Sequence, residues 1–450
     1  MKKSNLIVFV FILFLGGILS TSLWLYEKKT NHKNQVIISK EKKNKKVSLF
    51  DNTIVHEVHI HFDQPKYWDS LVYHKTQENL FEKKTYLKAD VVIDGKNSYN
   101  VGVKIKGESS YKHYPSKKKS LKINFDKFIK EQDYQGFEEI NLNNNFKDPT
   151  FMREKLYLDF LQEVGVPSQK NAYAKVYINN QYWGLYLMVE DIDKKFLKRH
   201  FGTKKGTLVK GEPKAYLDWH GKDWSGYVKK YKIKNGDKKK SIEQLIPLID
   251  IINNFEGSDE MFEVALESTF NIKSCLKVWA VNNVLVNIDA YNLYYPHNFY
   301  LYYNPKTAKF EWINFDGNYS FGAWSPVFTL EQMEALDIYY VKKDAKRHPL
   351  VSKLLKENIK TKQTYKSIIK NEVLDHLIPD KFNKKIETLK LLINESVYAD
   401  SLKMYTNREF DINIEQAIGD IKDPGAFIPG LKPFIKKRRE NVEAQLKGGY

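Results

Sequence analysis

Three short stretches in the second half of the chain carry oxygen-bearing side chains in an order that suits phosphoryl transfer. Asn287-Ile288-Asp289 ends an apolar run of helical period over 272–288. Pro296-His297-Asn298 opens a strand of Tyr and Leu. Trp312-Ile313-Asn314-Phe315-Asp316-Gly317 closes the next strand. An acid at a helix end, an amide before a strand and an acid just after the return strand converge on one cleft. In phosphoryl transfer one carboxylate orients the attacking hydroxyl, while an Asn and a second Asp hold the metal on the phosphates. Mg²⁺ prefers hard oxygen ligands and keeps several waters, so a few protein oxygens suffice. Asp289 is thus the candidate catalytic carboxylate, and Asn298 and Asp316 are the candidate metal ligands. Asp316-Gly317 is also an ordinary turn pair.

The first half supplies parts that suit phosphates. Val101–Lys106 runs into Gly107-Glu108-Ser109-Ser110, a loop whose backbone N–H groups can lie over phosphate oxygens. Lys122, on the alternating strand Ser120–Phe125, is the preferred lysine for neutralising phosphates. Lys104 and Lys106 compete with it. Glu154, on the helix that Asp148-Pro149 opens as N-cap and first residue, is the candidate partner for that lysine. Glu190 leaves the last strand of this region, where a nucleotide base can bond to backbone.

These residues need elements to hold them. Ile54–Phe62 alternates, with His59 and His61 on a solvated face. Lys88–Ile93 and Tyr99–Lys106 flank the hairpin signal Asp94-Gly95. The helix from Asp148 ends at Gly165, and Tyr173–Ile178 and Tyr182–Val189 flank an Asn179-Asn180 turn. From 190 the pattern turns helical: 190–200, 241–255, 272–288, and 433–446 after a mostly helical tail. Residues 206–234 read as irregular, and 299–303 with 310–315 as a short β segment. Arg438 and Arg439 are expected in surface or inter-helix salt bridges. The fold class is α+β, a β-rich region (49–190) followed by a mainly helical one (191–450).

Composition bounds the rest. The 450 residues are 42% hydrophobic and 28% charged, which suits globular cores and excludes a wholly disordered chain. A single cysteine, Cys275, excludes an internal disulfide framework and a thiolate metal cluster. Ten lysines and two glutamates lie in residues 1–48, so +8 of the net +18 sits there. After a short basic start (1–4), residues 5–26 are an apolar segment able to span a bilayer, a signal anchor or signal peptide. Lysines on both sides leave its orientation open. Residues 27–48 read as a polar, Lys-rich stalk. The expected location is membrane-anchored or exported, in a bacterial cell envelope.

The chain resembles the CotH family of atypical, protein-kinase-like enzymes over roughly 53–446. The resemblance rests on Val103-Lys104-Ile105-Lys106-Gly107-Glu108-Ser109-Ser110, Lys118-Lys119-Ser120-Leu121-Lys122-Ile123 and Asp148-Pro149-Thr150-Phe151-Met152-Arg153-Glu154. It continues through Tyr182-Trp183-Gly184-Leu185-Tyr186 with Glu190, and Gly206-Thr207-Leu208-Val209-Lys210-Gly211. It closes with Asp289, His297-Asn298-Phe299-Tyr300-Leu301-Tyr302 and Asp316 to Gly322. It implies a two-lobed kinase-like fold and transfer of the ATP γ-phosphoryl group to Ser or Thr of a protein, with Mg²⁺ or Mn²⁺. It also implies that Asp289 is the catalytic-loop Asp and Asp316 the metal-binding Asp. Many relatives carry a second Asp two residues after the metal Asp, where this chain has Asn318.

Two function classes compete. One is a Ser/Thr protein kinase attached to the membrane through the N-terminal segment. The other is a non-catalytic, kinase-like adhesion or coat-assembly protein. Nucleic acid is not an expected partner, because no recognition motif accompanies the lysine runs.

Overall fold

The computed structural model describes residues 47–448, apart from 82–83, 326, 343–347, 421–422 and 424. The expected segments 1–4 and 5–26, and the stalk 27–48 but for its last two residues, lie outside the described residues. Among the described residues no helix is long and apolar enough to cross a membrane. Phe50–Tyr450 forms one compact unit, described below.

The first half of that unit is a barrel. Its strands are β1 (Val55–His61), β2 (Leu87–Ile93), β3 (Lys96–Ile105), β4 (Leu121–Asn124), β5 (Glu139–Asn143), β6 (Asn171–Ile178) and β7 (Gln181–Glu190). They run in the order β1-β2-β3-β4-β5-β7-β6 and close through a parallel β1–β6 pair, all other neighbours being antiparallel. Closure leaves the barrel without an edge strand. Alternate residues fill it: Val58, Ile60, Val91, Val103, Ile123 and Ile140 are fully buried. Asp94-Gly95 and Asn179-Asn180 each have φ near +50 to +80° at both positions. Those angles match the right-handed twist of the strands they join.

The helix after β5 begins four residues later than its Asp148-Pro149 signal suggests and covers Arg153–Glu163. Asp148 still caps it from a distance: its Oδ2 accepts the N–H of Arg153 at 2.7 Å, and its Oδ1 takes the N–H and hydroxyl of Thr150. The intervening residues make an extra turn, with Phe151 at φ +60°. The C-terminus ends as expected: Gly165 is left-handed, and the Val166 N–H returns to Leu161 O at 2.8 Å.

A second sheet follows, in the order β11-β10-β8-β9. Its strands are β8 (Thr207–Gly211), β9 (Tyr231–Asn235), β10 (Phe299–Asn304) and β11 (Lys309–Asn314). The expected irregular stretch 206–234 therefore holds two strands. Each has only five residues, and β9 alternates its two apolar positions with lysines, too short a pattern to stand out. The helix expected over 190–200 starts at Lys194, because Asp193 caps it through the N–H groups of Lys195 and Phe196.

Helix Ile272–Val284 packs on β11 through an aromatic core. Trp312 lies 5.5 Å from Trp279, 4.9 Å from Tyr291 and 4.4 Å from Phe299 between ring centres. Arg438, on the last helix (Leu431–Lys447), is buried and bonds carbonyls, not a carboxylate as expected for a salt bridge. It donates to Leu336 O at 2.6 Å and Asn283 Oδ1 at 2.9 Å, and reaches the carbonyls of Asn283 and Val284. A cation on the last carbonyls of a helix opposes the negative end of its dipole. It also fixes the point from which the chain enters Asn287-Ile288-Asp289. Arg439 does make the expected bridge, to Glu443 at 2.8 Å.

Candidate functional site

A cleft of about 650 Å³ opens between barrel residues and the second sheet. Asp289, Asn298 and Asp316 all line it. Asn298 Nδ2 donates to Asp289 Oδ2 at 2.8 Å and to the Asp289 carbonyl at 3.2 Å. His297 Nε2 stands 3.2 Å from Asp289 Oδ1. Asn287 Nδ2 reaches the Asp316 carbonyl at 3.4 Å, and the Phe315 N–H bonds Asn298 O. The three stretches are thus tied to one another directly. Their backbone is unusual: Val286, Asn298 and Asp316 have φ of +49, +62 and +66°. Such angles are strained for a β-branched residue and tolerated by Asn and Asp. Asn298 and Asp316 line the cleft, whereas Val286 is buried in the core just before Asn287.

The barrel supplies a lysine, an amide and a carboxylate in a chain. Lys106 Nζ donates to Asn143 Oδ1 at 2.8 Å, and Asn143 Nδ2 donates to Glu154 Oε1 at 2.7 Å. Lys106 stands just past β3, where its N–H still bonds Ser120 O. Glu154 occupies the first turn of its helix, where the dipole favours an anion.

This corrects the expected pairing of Lys122 with Glu154. Lys122 also lines the cleft, but Glu139 at 2.8 Å and Asp191 at 2.9 Å hold its ammonium. Burial pulls its pKa down, yet these two carboxylates hold it above the ordinary lysine value. Lys104 is held by both oxygens of Glu78 at 2.8 and 2.9 Å and is not among the cleft residues. Glu190 does not reach the cleft either. Its buried carboxylate is clasped by Arg199, its N–H bonds Lys170 O and its carbonyl accepts from Gln169. Asp191, one residue on, lines the cleft in its place. Strand polarity explains these misses: β3, β4 and β7 each offer several polar residues, and only the closed barrel selects which one faces the cleft.

Gly107, Ser109 and Ser110 line the same cleft. Gly107 has φ +80°, and a Cβ there would stand 2.4 Å from Ser110 Oγ, so this turn is open to glycine alone.

The charge balance at the Asp end is unfavourable without a ligand. Burial, then Asp316, push the Glu154 carboxyl above the ordinary carboxylate range, and Lys106 and Asn143 oppose this. Burial and then Asp289 push Asp316 up, opposed by Lys106, His297 and the Asn318 N–H. Three facing carboxylates with one nearby lysine are a setting that a hard divalent cation relieves. Asn298 spends its N–H donor on Asp289, which leaves its Oδ1 for such a cation. Asn318 lines the cleft with its Nδ2 directed to Phe146 O at 3.4 Å. Among the described residues no group of three His, Cys, Asp or Glu side chains forms a metal site by itself. Any cation here would take Asp, Asn and ligand oxygens together.

Asn143, Asp191 and His297 line the cleft and are absent from the expected site, as is the close contact of Gly317 with Tyr157 behind it. Asn143 ends the unread strand β5, within the run Asn141-Leu142-Asn143-Asn144-Asn145. That alternation was the available signal. His297 has no signal beyond its place beside Asn298. Tyr157 and Gly317 meet only through the fold.

The family described as CotH kinase protein matches residues 103–442, three quarters of the chain. The chain therefore belongs to the CotH kinase protein family. Among individual relatives, the Bacillus subtilis "Inner spore coat protein H" is 41% identical over 83 residues, covering 18% of this chain and 22% of that protein. "Invasin CotH2" of Rhizopus delemar is 24% identical over 263 residues, covering 56% of this chain and 42% of that protein. These matches span less than half the length of either relative. Among solved structures, the Helicobacter pylori proinflammatory kinase CtkA aligns over 70% of this chain and 91% of its own, at 10% identity and a TM-score of 0.28. That score is too low to equate the two folds.

Proposed function

We propose that this protein is an ATP-dependent Ser/Thr protein kinase with a two-lobed, kinase-like arrangement, the barrel forming one lobe and the helical region with the second sheet the other. The observation that carries the reading is the meeting of Asp289, Asn298 and Asp316 in a cleft that Lys106 of the barrel region also lines. Asp289, held at Oδ1 by His297 and at Oδ2 by Asn298, orients the acceptor hydroxyl and takes its proton as transfer proceeds. Asn298 Oδ1 and Asp316 would hold Mg²⁺ or Mn²⁺. The cation, when bound, neutralises charge on the transferring phosphoryl group. Lys106 neutralises phosphate oxygens, and Glu154, through Asn143, fixes the reach of that lysine. The Gly107–Ser110 turn offers backbone N–H groups to the phosphates.

The acceptor would be a Ser/Thr-bearing protein of the spore coat or cell surface; the name of the Bacillus subtilis relative supports the former. The apolar segment 5–26 supports membrane attachment or export. Phosphate transfer from labelled ATP to a Ser-rich protein, with Mg²⁺ or Mn²⁺, tests the reading. A second reading is a non-catalytic adhesion or coat-assembly protein. Asn318, standing where many relatives carry Asp, favours it. Nucleotide-dependent thermal stabilisation with no transfer would support that reading.

A further inference from the structure

The cleft also carries a cluster of lysines that the proposed reaction does not use. Lys210 on β8 and Lys232 on β9 are direct cross-strand partners, so their side chains share one face. Lys234 stands at the bulge between the Leu208 and Val209 pairings and lines the cleft with them. Bulges re-aim side chains and recur beside active sites. From the segment leading into β2, Lys84 lines the same cleft. Like charges directly opposite on paired strands cost stability. A lysine-bearing edge strand can serve only to block pairing with another sheet. Here, however, the lysines line a cavity wall, and Lys210 belongs to an interior strand.

Four carboxylates stand near them: Glu78 holds Lys104, Glu212 holds Lys210 at 3.0 Å, and Asp191 and Glu139, which hold Lys122, also attract Lys234. Lys84 keeps solvent contact, yet partial burial and then Lys234, Lys104 and Lys232 depress its amine to about 8. Burial, then Lys122, depress Lys234 as well. The charges that act on Lys84 and Lys234 come from Glu78, Lys104, Lys122, Glu139, Asp191 and the lysines themselves, not from Asp289 or Asp316. The roles given above to Lys106 and Asp316 do not call on Lys84 or Lys234.

We propose that Lys84 and the Lys210, Lys232 and Lys234 face of β8–β9 bind phosphate groups already placed on a protein acceptor, retaining it for further transfers. Neighbouring strands are about 5 Å apart and i, i+2 positions about 7 Å apart. Phosphoserines at alternate positions of an extended chain repeat at the latter spacing. The proposal rests on the kinase reading for its biological sense, but the subsite itself can be measured without turnover.

The experiment uses the full chain and a fluorescent Ser-rich peptide, unmodified or carrying two phosphoserines at i and i+2, with binding read by anisotropy at fixed salt. The wild type should bind the phosphorylated peptide at least tenfold more tightly. The Lys84→Ala/Lys234→Ala variant should lose that preference, and Lys84→Arg/Lys234→Arg should keep it. Equal binding of both peptides by the wild type would overturn the proposal. So would equally tight binding of a single-stranded oligonucleotide of the same charge. A parallel loss of MgATP affinity in the Ala variant would assign the lysines to the nucleotide instead, and also overturn it. Phosphopeptide preference without any phosphotransfer would support the subsite and remove the kinase reading. A melting temperature for each variant separates lost binding from lost fold.

Discussion

The Cβ that Gly317 lacks would stand 2.0 Å from the ring of Tyr157. The loop bearing Asp316 is thereby pressed against the helix bearing Glu154. Tyr157 is itself fixed, donating to Asn282 Oδ1 and accepting from Asn314 Nδ2, both at 2.7 Å. Gly317→Ala must push this contact apart. A stability loss of about 1–3 kcal/mol is expected, typical of an overpacked core site. Nucleotide binding should weaken beyond what the lost stability explains. Calorimetry with and without MgATP checks both. Unchanged MgATP affinity would mean that this contact does not position Asp316.

The two cleft lysines should separate by phenotype. Lys106→Met removes a charge aimed at phosphates and should lower phosphotransfer by about 10²-fold or more while the protein stays folded. Lys122→Met leaves Glu139 and Asp191 facing each other unpaired, and should cost about 3 kcal/mol in stability. Urea denaturation beside an activity assay distinguishes them. The reverse pattern would return the phosphate role to Lys122.

Much of this arrangement is legible in the sequence, for a physical reason. Asp289, Asn298 and Asp316 each follow or precede a strongly periodic element, and the element ends determine where they fall. The lysine choice is not legible. Lys104, Lys106 and Lys122 have the same local pattern, and partners distant in sequence, Glu78, Asn143 and Asp191, decide among them. Glu190 misleads for the same reason. Its partner Arg199 sits in the next helix, so the carboxylate turns from the cleft. Strands β5, β8 and β9 are short and polar, and their pairing comes from neighbours in the sheet, not from their own pattern. Arg438 shows the limit most plainly. Nothing in its helix announces that it is buried against carbonyls at the end of another helix.

Arg153 should be a stability residue. It is fully buried, pairs with Asp148 at 2.7 Å and donates to Pro429 O at 2.8 Å. Arg153→Met strands the Asp148 carboxylate and should cost about 3–5 kcal/mol. The denaturation midpoint checks this, and a shift near zero would contradict the packing described.

Glu154 gives a pH signature. Its folded pKa is raised, so the folded state holds the proton more tightly than the unfolded one. Stability from this group is full below the unfolded carboxylate pKa and is lost as pH rises through the folded value. Glu154→Gln mimics the protonated form and escapes that loss. Without metal, the variant's stability relative to wild type should therefore rise between pH 5 and pH 8. A difference that is flat with pH would show that Glu154 ionises normally.

The most direct test of the site is phosphotransfer by the full chain from labelled ATP to a Ser-rich protein, with Mg²⁺ or Mn²⁺. Wild type, Asp289→Asn and Asp316→Asn are compared, each first shown by circular dichroism to be folded. Transfer by the wild type and its loss by a factor of about 10³ or more in both variants is the predicted result. Transfer that continues undiminished in either variant would contradict the role given to that carboxylate, and in both would remove the mechanism.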